Sequence, residues 1–197
     1  MATSRIKTSS ILQGFPKSRS LLAGNAAYDP AALFLIQRVS PTSGSSLTFN
    51  SIPQTYKHLQ IRLIVRDGTN TNSQYYLTFN GGASASYASH VLRGNGTSAL
   101  AAGFATNTEM RFAAQTIATT ANIFGASIID IHDYTSTTKN KTVRAFNGYD
   151  NNTSDGWIYL VSSVWLSTSA VTSITITNAN GSTLASGSTF ALYGMVG

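Results

Sequence analysis

The chain has 197 residues and a net charge of +6, yet only 10% of its residues are charged. It contains no cysteine, which excludes disulfides and thiolate chemistry. Residues 1–38 hold five basic and one acidic side chain (+4), whereas residues 39–197 hold eight and six (+2). The sequence therefore predicts one nearly neutral, hydroxyl-rich domain without a broad basic face for nucleic acid.

Residues 1–30 predict an extended, basic arm. They show no sustained apolar period, and they mix basic side chains with spaced large apolar ones. At ~3.3 Å per residue such a segment reaches ~100 Å when fully extended. We expect it to anchor the chain to a larger assembly through seven side chains: Arg5, Lys7, Phe15, Lys17, Arg19, Leu21 and Leu22.

Neither a secretion signal nor a membrane span is expected. The start is polar, and no apolar stretch of about 7–15 residues follows it. The longest apolar run, residues 31–36, is far shorter than the ~20 residues that a spanning helix needs. We therefore expect synthesis in a cytoplasm and no membrane insertion.

From residue 31 onwards, short strand patterns alternate with turns rich in Gly, Asn, Ser and Thr. The clearest strand is 58–66, where the odd-numbered residues from Leu59 to Val65 are apolar, which is the period of a half-buried strand. The Ala-rich residues 97–106 fit either a short helix or a loop. The other predicted strands are 33–39, 47–49, 74–80, 87–93, 109–113, 123–132, 142–149, 157–166, 171–177 and 189–196.

About eleven short strands without an amphipathic helix favour two packed sheets. We predict that residues 31–197 form an all-β, jelly-roll-like antiparallel β-sandwich, preceded by the arm of residues 1–30. A chain of this length is long enough to bury one substantial core.

Catalytic chemistry has one weak candidate, the segment Asp130, His132 and Asp133. On a strand, Asp130 and His132 point to the same side about 7 Å apart, as a metal site or an acid–base pair requires. The alternative is a strand end whose polar residues enter a turn. With no second cluster at ligand spacing and no nucleophile-elbow motif, we predict no catalytic residue, no metal and no cofactor.

A second candidate is the oxygen-rich loop Asp150–Gly156 with the aromatic residues that flank it. Its alternate oxygens loosely resemble a calcium loop, but Val161 stands where the bidentate Glu belongs, and a solvated turn is the alternative. Aromatic rings beside Asn and Asp also suit sugar binding, against the alternative that the rings build the core or a subunit contact. The residues we predict for glycan or host contact are Tyr149, Asp150, Asn152, Asp155 and Trp157.

Five segments resemble a family of small β-rich virion proteins of tailed bacteriophages, often called tail fibre or structural proteins. They are SLLAGNAAY (20–28), TFNSIPQTYKHLQIR (48–62), FGASIIDIHDY (124–134), KNKTVR (139–144) and GSTFALYG (187–194). The resemblance implies a non-enzymatic virion component, a homotrimer, and contacts with other virion proteins. It leaves open whether the chain sits on the tail or on the capsid.

Together these features predict a short trimeric tail fibre or adhesin. Its arm would dock on a tail adaptor, a baseplate or the major capsid protein, and its sandwich would face host-surface glycans. A capsid decoration protein on the head and a free carbohydrate-binding module are the alternatives. An enzyme that cleaves glycans is disfavoured, because such enzymes need paired carboxylates in a groove.

Overall fold

The computed structural model describes residues 33–69, 73–82, 86–111, 120–151 and 155–196. These residues fall within one compact unit and contain strands but no helix. Across these ranges, no helix of the length and apolarity that crosses a bilayer is found. The predicted arm and its seven anchoring side chains lie outside the described residues, so arm anchoring stays a prediction.

Twelve strands make up this part of the chain. In order they are β1 (Leu33–Val39), β2 (Ser46–Phe49), β3 (His58–Val65), β4 (Tyr75–Phe79), β5 (Tyr87–Gly94), β6 (Ala99–Asn107), β7 (Met110–Arg111), β8 (Gly125–Ile131), β9 (Lys141–Asp150), β10 (Gly156–Trp165), β11 (Ile174–Asn178) and β12 (Thr189–Met195).

The strands form two antiparallel sheets. One has eight strands in the order β1-β12-β3-β8-β9-β10-β5-β6, and the other has four in the order β2-β11-β4-β7. This confirms the predicted all-β sandwich, whereas the jelly-roll connectivity stays a prediction. The strand predicted at 58–66 occurs as β3, and its alternation is the reason: Leu59, Ile61, Leu63 and Val65 are all buried.

The core lies between the two sheets and takes a row of alternate side chains from most of their strands. From the four-stranded sheet it includes Phe49, Leu77 and Ile176, which are buried against the inward rows of β3, β8, β9 and β10. Because successive residues of a strand point to opposite faces, the remaining side chains of the eight-stranded sheet lie on its other side. That side is here called the outer face.

The prediction for residues 97–106 is wrong, since they form neither a helix nor a loop but most of strand β6. Strand β6 is an edge strand that pairs along its length with β5, from Gly94 opposite Ala99 to Tyr87 opposite Asn107. Alanine has low strand propensity, but pairing with a neighbouring strand overrides it.

Candidate functional site

The predicted contact loop joins β9 to β10 at one end of the sandwich. Asp150 pairs with Gly156 across the hairpin, and Asn152 lies outside the described residues. Tyr149, Asp150 and Trp157 line a hollow of about 480 Å³ together with the turn 94–97. Three of the five predicted contact residues thus line one hollow, a fourth, Asp155, is hydrogen-bonded to Tyr149, and the turn 94–97 is a second loop that the sequence did not indicate.

The aromatic rings at this hollow are engaged in internal packing. Tyr149 is buried, and its hydroxyl donates to Asp155 Oδ1 at 2.9 Å. Burial, followed by the neighbouring Asp155 carboxylate, raises the pKa of Tyr149 above its ordinary value. Trp157 stacks on Tyr159 with ring centroids 5.9 Å apart, and the Arg93 guanidinium lies 5.3 Å from the Trp157 ring centroid. A ligand in this hollow would therefore meet ring edges and polar groups more than open ring faces.

The segment Asp130–Asp133 lies where β8 ends. Asp130 accepts a hydrogen bond from Gln60 Nε2 at 2.8 Å, and the His132 ring lies 5.3 Å from the ring of His58. Asp133 pairs with Lys57 at 3.0 Å and with Lys139 at 2.7 Å, and these side chains hold its pKa down at about 2. Each carboxylate thus has a structural partner.

No group of three or more potential metal ligands comes together within the described ranges. The buried ammonium of Lys141 has backbone partners instead. It donates to the carbonyl oxygens of Ser136, Lys139 and Thr168 at 2.6, 2.8 and 3.2 Å. Burial lowers the pKa of Lys141. This side chain ties two loops together.

The outer face of the eight-stranded sheet is unusually apolar. Nine large hydrophobic side chains are exposed in the described part of the chain, with exposed fractions from 42% to 57%. Seven of them lie on this face: Leu35, Ile64, Leu92, Ile128, Phe146, Ile158 and Leu160. Single exposed hydrophobic residues are ordinary, but a contiguous group marks an interaction surface.

The strand registers show that this group is contiguous. Two adjacent rows of side chains cross the outer face. One row contains Arg38, Ala191, Arg62, Ile128, Phe146, Leu160, Leu92 and Ala101. The next contains Thr189, Ile64, Ala126, Gly148, Ile158, Gly94 and Ala99. Six large hydrophobic residues stand in these rows, here called the apolar patch: Ile64, Leu92, Ile128, Phe146, Ile158 and Leu160.

Most polar groups of the outer face stand in a third row, while Arg38 and Arg62 stand in the same row as Ile128. This third row, on the other side of the Arg38–Ala101 row, contains Leu35, Tyr193, Gln60, Asp130, Arg144, Ser162, His90 and Gly103. Arg62 donates to Gln60 at 2.7 Å and lies 5.6 Å from the Tyr193 ring centroid. Arg62 is thus drawn into local contacts, and the six residues of the apolar patch carry no charge.

Two hollows flank the centre of the patch. One, of about 840 Å³, is lined by Phe146 and reaches Leu35 on the edge strand β1. The other, of about 670 Å³, is lined by Leu160 and Leu92. Phe146 and Leu160 are direct cross-strand partners, so the boundary between the hollows runs along this pair. On the outer face, the Phe146–Leu160 pair therefore lies between two recesses.

No protein-family model, curated protein or solved structure matches this chain. Two surfaces described above are the candidates for contact with a ligand or with another protein. The hollow beside Trp157 is small and polar, and the outer face is broad and apolar.

Proposed function

We propose that this protein is a non-enzymatic structural component of a tailed-bacteriophage virion, a short trimeric tail fibre or adhesin. Residues 1–30 anchor it to the particle, and the β-sandwich faces the host. The observation that carries this proposal is the apolar patch, because a sheet face with six half-exposed large hydrophobic residues is suited to being covered by protein. The virion setting follows from the resemblance of the five sequence segments.

Immunogold electron microscopy of phage particles tests directly whether the chain is part of the virion and where it lies. An antibody against the full chain is expected to label the tail. Label on the head would replace the fibre with a capsid decoration protein. Particles without label, while the same antibody detects the chain in the infected lysate, would contradict a virion role.

Anchoring by the arm predicts a charge requirement. Replacing Arg5, Lys7, Lys17 and Arg19 with alanine in the full chain should lower incorporation into particles at least tenfold, because long-range attraction to the docking site is lost. The matched control exchanges Arg for Lys and Lys for Arg at the same four positions and should leave incorporation unchanged. Quantitative mass spectrometry of purified particles measures both, and equal incorporation of the alanine variant would contradict arm anchoring.

Host contact at the hollow of residues 94–97, Asp150 and Trp157 makes a spectroscopic prediction. The chain has two tryptophans, and Trp165 is buried in the core, so a sugar bound in the hollow should change mainly the emission of Trp157. Titration with host-surface polysaccharide should give a saturable change that Asp150→Ala weakens at least threefold. An unchanged emission in the wild type, together with no retention on immobilised polysaccharide, would remove glycan contact from the proposal.

A further inference from the structure

We propose that the outer face of the eight-stranded sheet is the contact between copies of this chain, with the apolar patch of each copy packed against the outer faces of the other two around a threefold axis. This inference deepens the proposed function and rests on it, since a homotrimeric fibre needs a contact between its subunits. It assigns that contact to a particular surface and to named side chains.

The size of the outer face fits a stable contact between subunits. Eight strands, each about 4.8 Å wide, span about 38 Å, and three rows of side chains, each taking about 6.6 Å along the strand, cover about 20 Å. The face therefore projects on the order of 760 Å², close to the roughly 800 Å² that each partner contributes to a standard interface. No smaller ligand would cover such a surface.

The distribution of charge favours a second copy over the chain's own arm. Near the patch the outer face presents three arginines, Arg38, Arg62 and Arg144, and two acids, Asp130 and Asp150. The arm is also basic, so its four cations would approach cations of the same sign. Two copies can instead bring together the six uncharged residues of their patches, so that no arginine has to face another arginine.

The shape of the outer face also supports a contact between copies of the chain. The Phe146–Leu160 pair stands between recesses of about 840 and 670 Å³. Copies of a surface that carries both exposed large side chains and recesses can interlock when a threefold axis brings different parts of that surface together. The depletion of charge at the centre and the polar margin also match the anatomy of protein interfaces.

A pair of leucine substitutions in the full chain tests the assignment. Leu160 is 56% exposed in the patch, and Leu100 is 44% exposed on β6 opposite Arg93, whose side chain belongs to the other side of the sheet. We expect the wild type to sediment as an oligomer at micromolar concentration. Leu160→Lys should raise its dissociation constant at least tenfold, and Leu100→Lys should leave it unchanged. Circular dichroism verifies that both variants fold.

Cross-linking provides a second measurement that does not weaken the contact. Because the chain lacks cysteine, Ser162→Cys introduces a single thiol beside Leu160, and Thr48→Cys introduces one on the four-stranded sheet. Both native residues are exposed hydroxyl side chains. A short bis-maleimide should link copies of Ser162→Cys and not of Thr48→Cys.

The outcomes separate this inference from the proposed function. A monomeric wild type that still enters particles would overturn the self-contact and leave a virion role standing, with another virion protein on the patch. An oligomer that Leu160→Lys does not weaken would also overturn it, because the contact would then lie elsewhere. A chain that enters no particle would overturn the virion role even if the self-contact is found.

Discussion

Replacing Asp67 with asparagine is expected to lower the free energy of unfolding by about 2–4 kcal/mol, although the two side chains have nearly the same size. Asp67 is fully buried at the end of β3. Its Oδ1 accepts from the Ser182 hydroxyl and, at 3.0 Å, from the Thr69 N–H, and its Oδ2 accepts from Asn178 Nδ2 at 3.0 Å. In asparagine an NH2 group replaces one of the two acceptor oxygens. At least one of these donors would then face another donor and lose its hydrogen bond.

The loss should be larger than that of one surface hydrogen bond because the carboxylate joins distant parts of the chain. Asn178 ends β11, Ser182 lies in the connection to β12, and the Asp67 backbone bridges to Leu184 in the same connection. A buried polar group left without its partner costs the full desolvation penalty. The substitution therefore weakens the attachment between the two sheets at this end of the sandwich.

Acid should diminish the difference between wild type and Asp67→Asn. Burial alone raises the pKa of Asp67, but hydrogen bonds from Ser182, Thr69 and Asn178 outweigh burial and lower it below the ordinary value of 3.8. The unfolded chain then binds more protons than the folded chain in acid, so this stabilisation is complete above pH 3.8 and is lost as the pH falls through the lower folded value.

Urea unfolding at about pH 7 and about pH 3 measures this difference. The matched control is Asp130→Asn, because Asp130 is half-buried and its asparagine substitute keeps the Oδ1 that accepts from Gln60. We expect the control to change stability by less than about 0.5 kcal/mol. An Asp67→Asn variant as stable as the control at neutral pH would contradict this account.

Most of the fold could be predicted from the sequence because the inward rows carry a clear period of two. Strand β1 has the predicted bounds, and β3, β5, β9 and β10 differ from prediction by one residue at one or both ends. Strand β6 could not be predicted in this way. Its residues are small and mostly exposed on both sides, so pairing with β5 decides its conformation and burial leaves no pattern.

The outer face escaped prediction although the sequence contains a signal for it. Ile128 and Ile129 are adjacent apolar residues, and 158–161 is an unbroken apolar run. Consecutive apolar residues on a strand mean that both of its faces are apolar. Locating the patch also requires the register across β8, β9 and β10, since only this places Ile128, Phe146 and Leu160 in one row.

At the predicted contact loop, Tyr149, Asp150 and Trp157 lie close together because a hairpin joins β9 to β10. The sequence could not indicate which of the aromatic rings point inwards. That depends on the alternation along β9 and β10, which turns Tyr149 and Tyr159 into the core. The turn 94–97 completes the hollow through pairing of β10 with β5, a contact between residues distant in sequence.

Phe79→Ala should destabilise each subunit, whereas Phe146→Ala should act mainly on the association between subunits. Phe79 is fully buried, with its ring centroid 5.3 Å from that of Trp165 and 6.3 Å from that of Tyr87. Phe79→Ala removes this packing and leaves a cavity, so we expect it to lower the free energy of unfolding by about 3–5 kcal/mol. Phe146 is 50% exposed on the outer face, so Phe146→Ala should lower the stability of an isolated subunit by less than about 1 kcal/mol.

Thermal unfolding at several protein concentrations distinguishes the two effects. Because association stabilises the folded chain by mass action, a contact between copies makes Tm depend on concentration. Phe79→Ala should lower Tm by a similar amount at every concentration, whereas Phe146→Ala should lower it mainly at concentrations where the wild type associates. A Phe146→Ala variant whose Tm falls equally at all concentrations would place this side chain in the packing of one subunit, because a side chain that acts between subunits loses its effect on dilution.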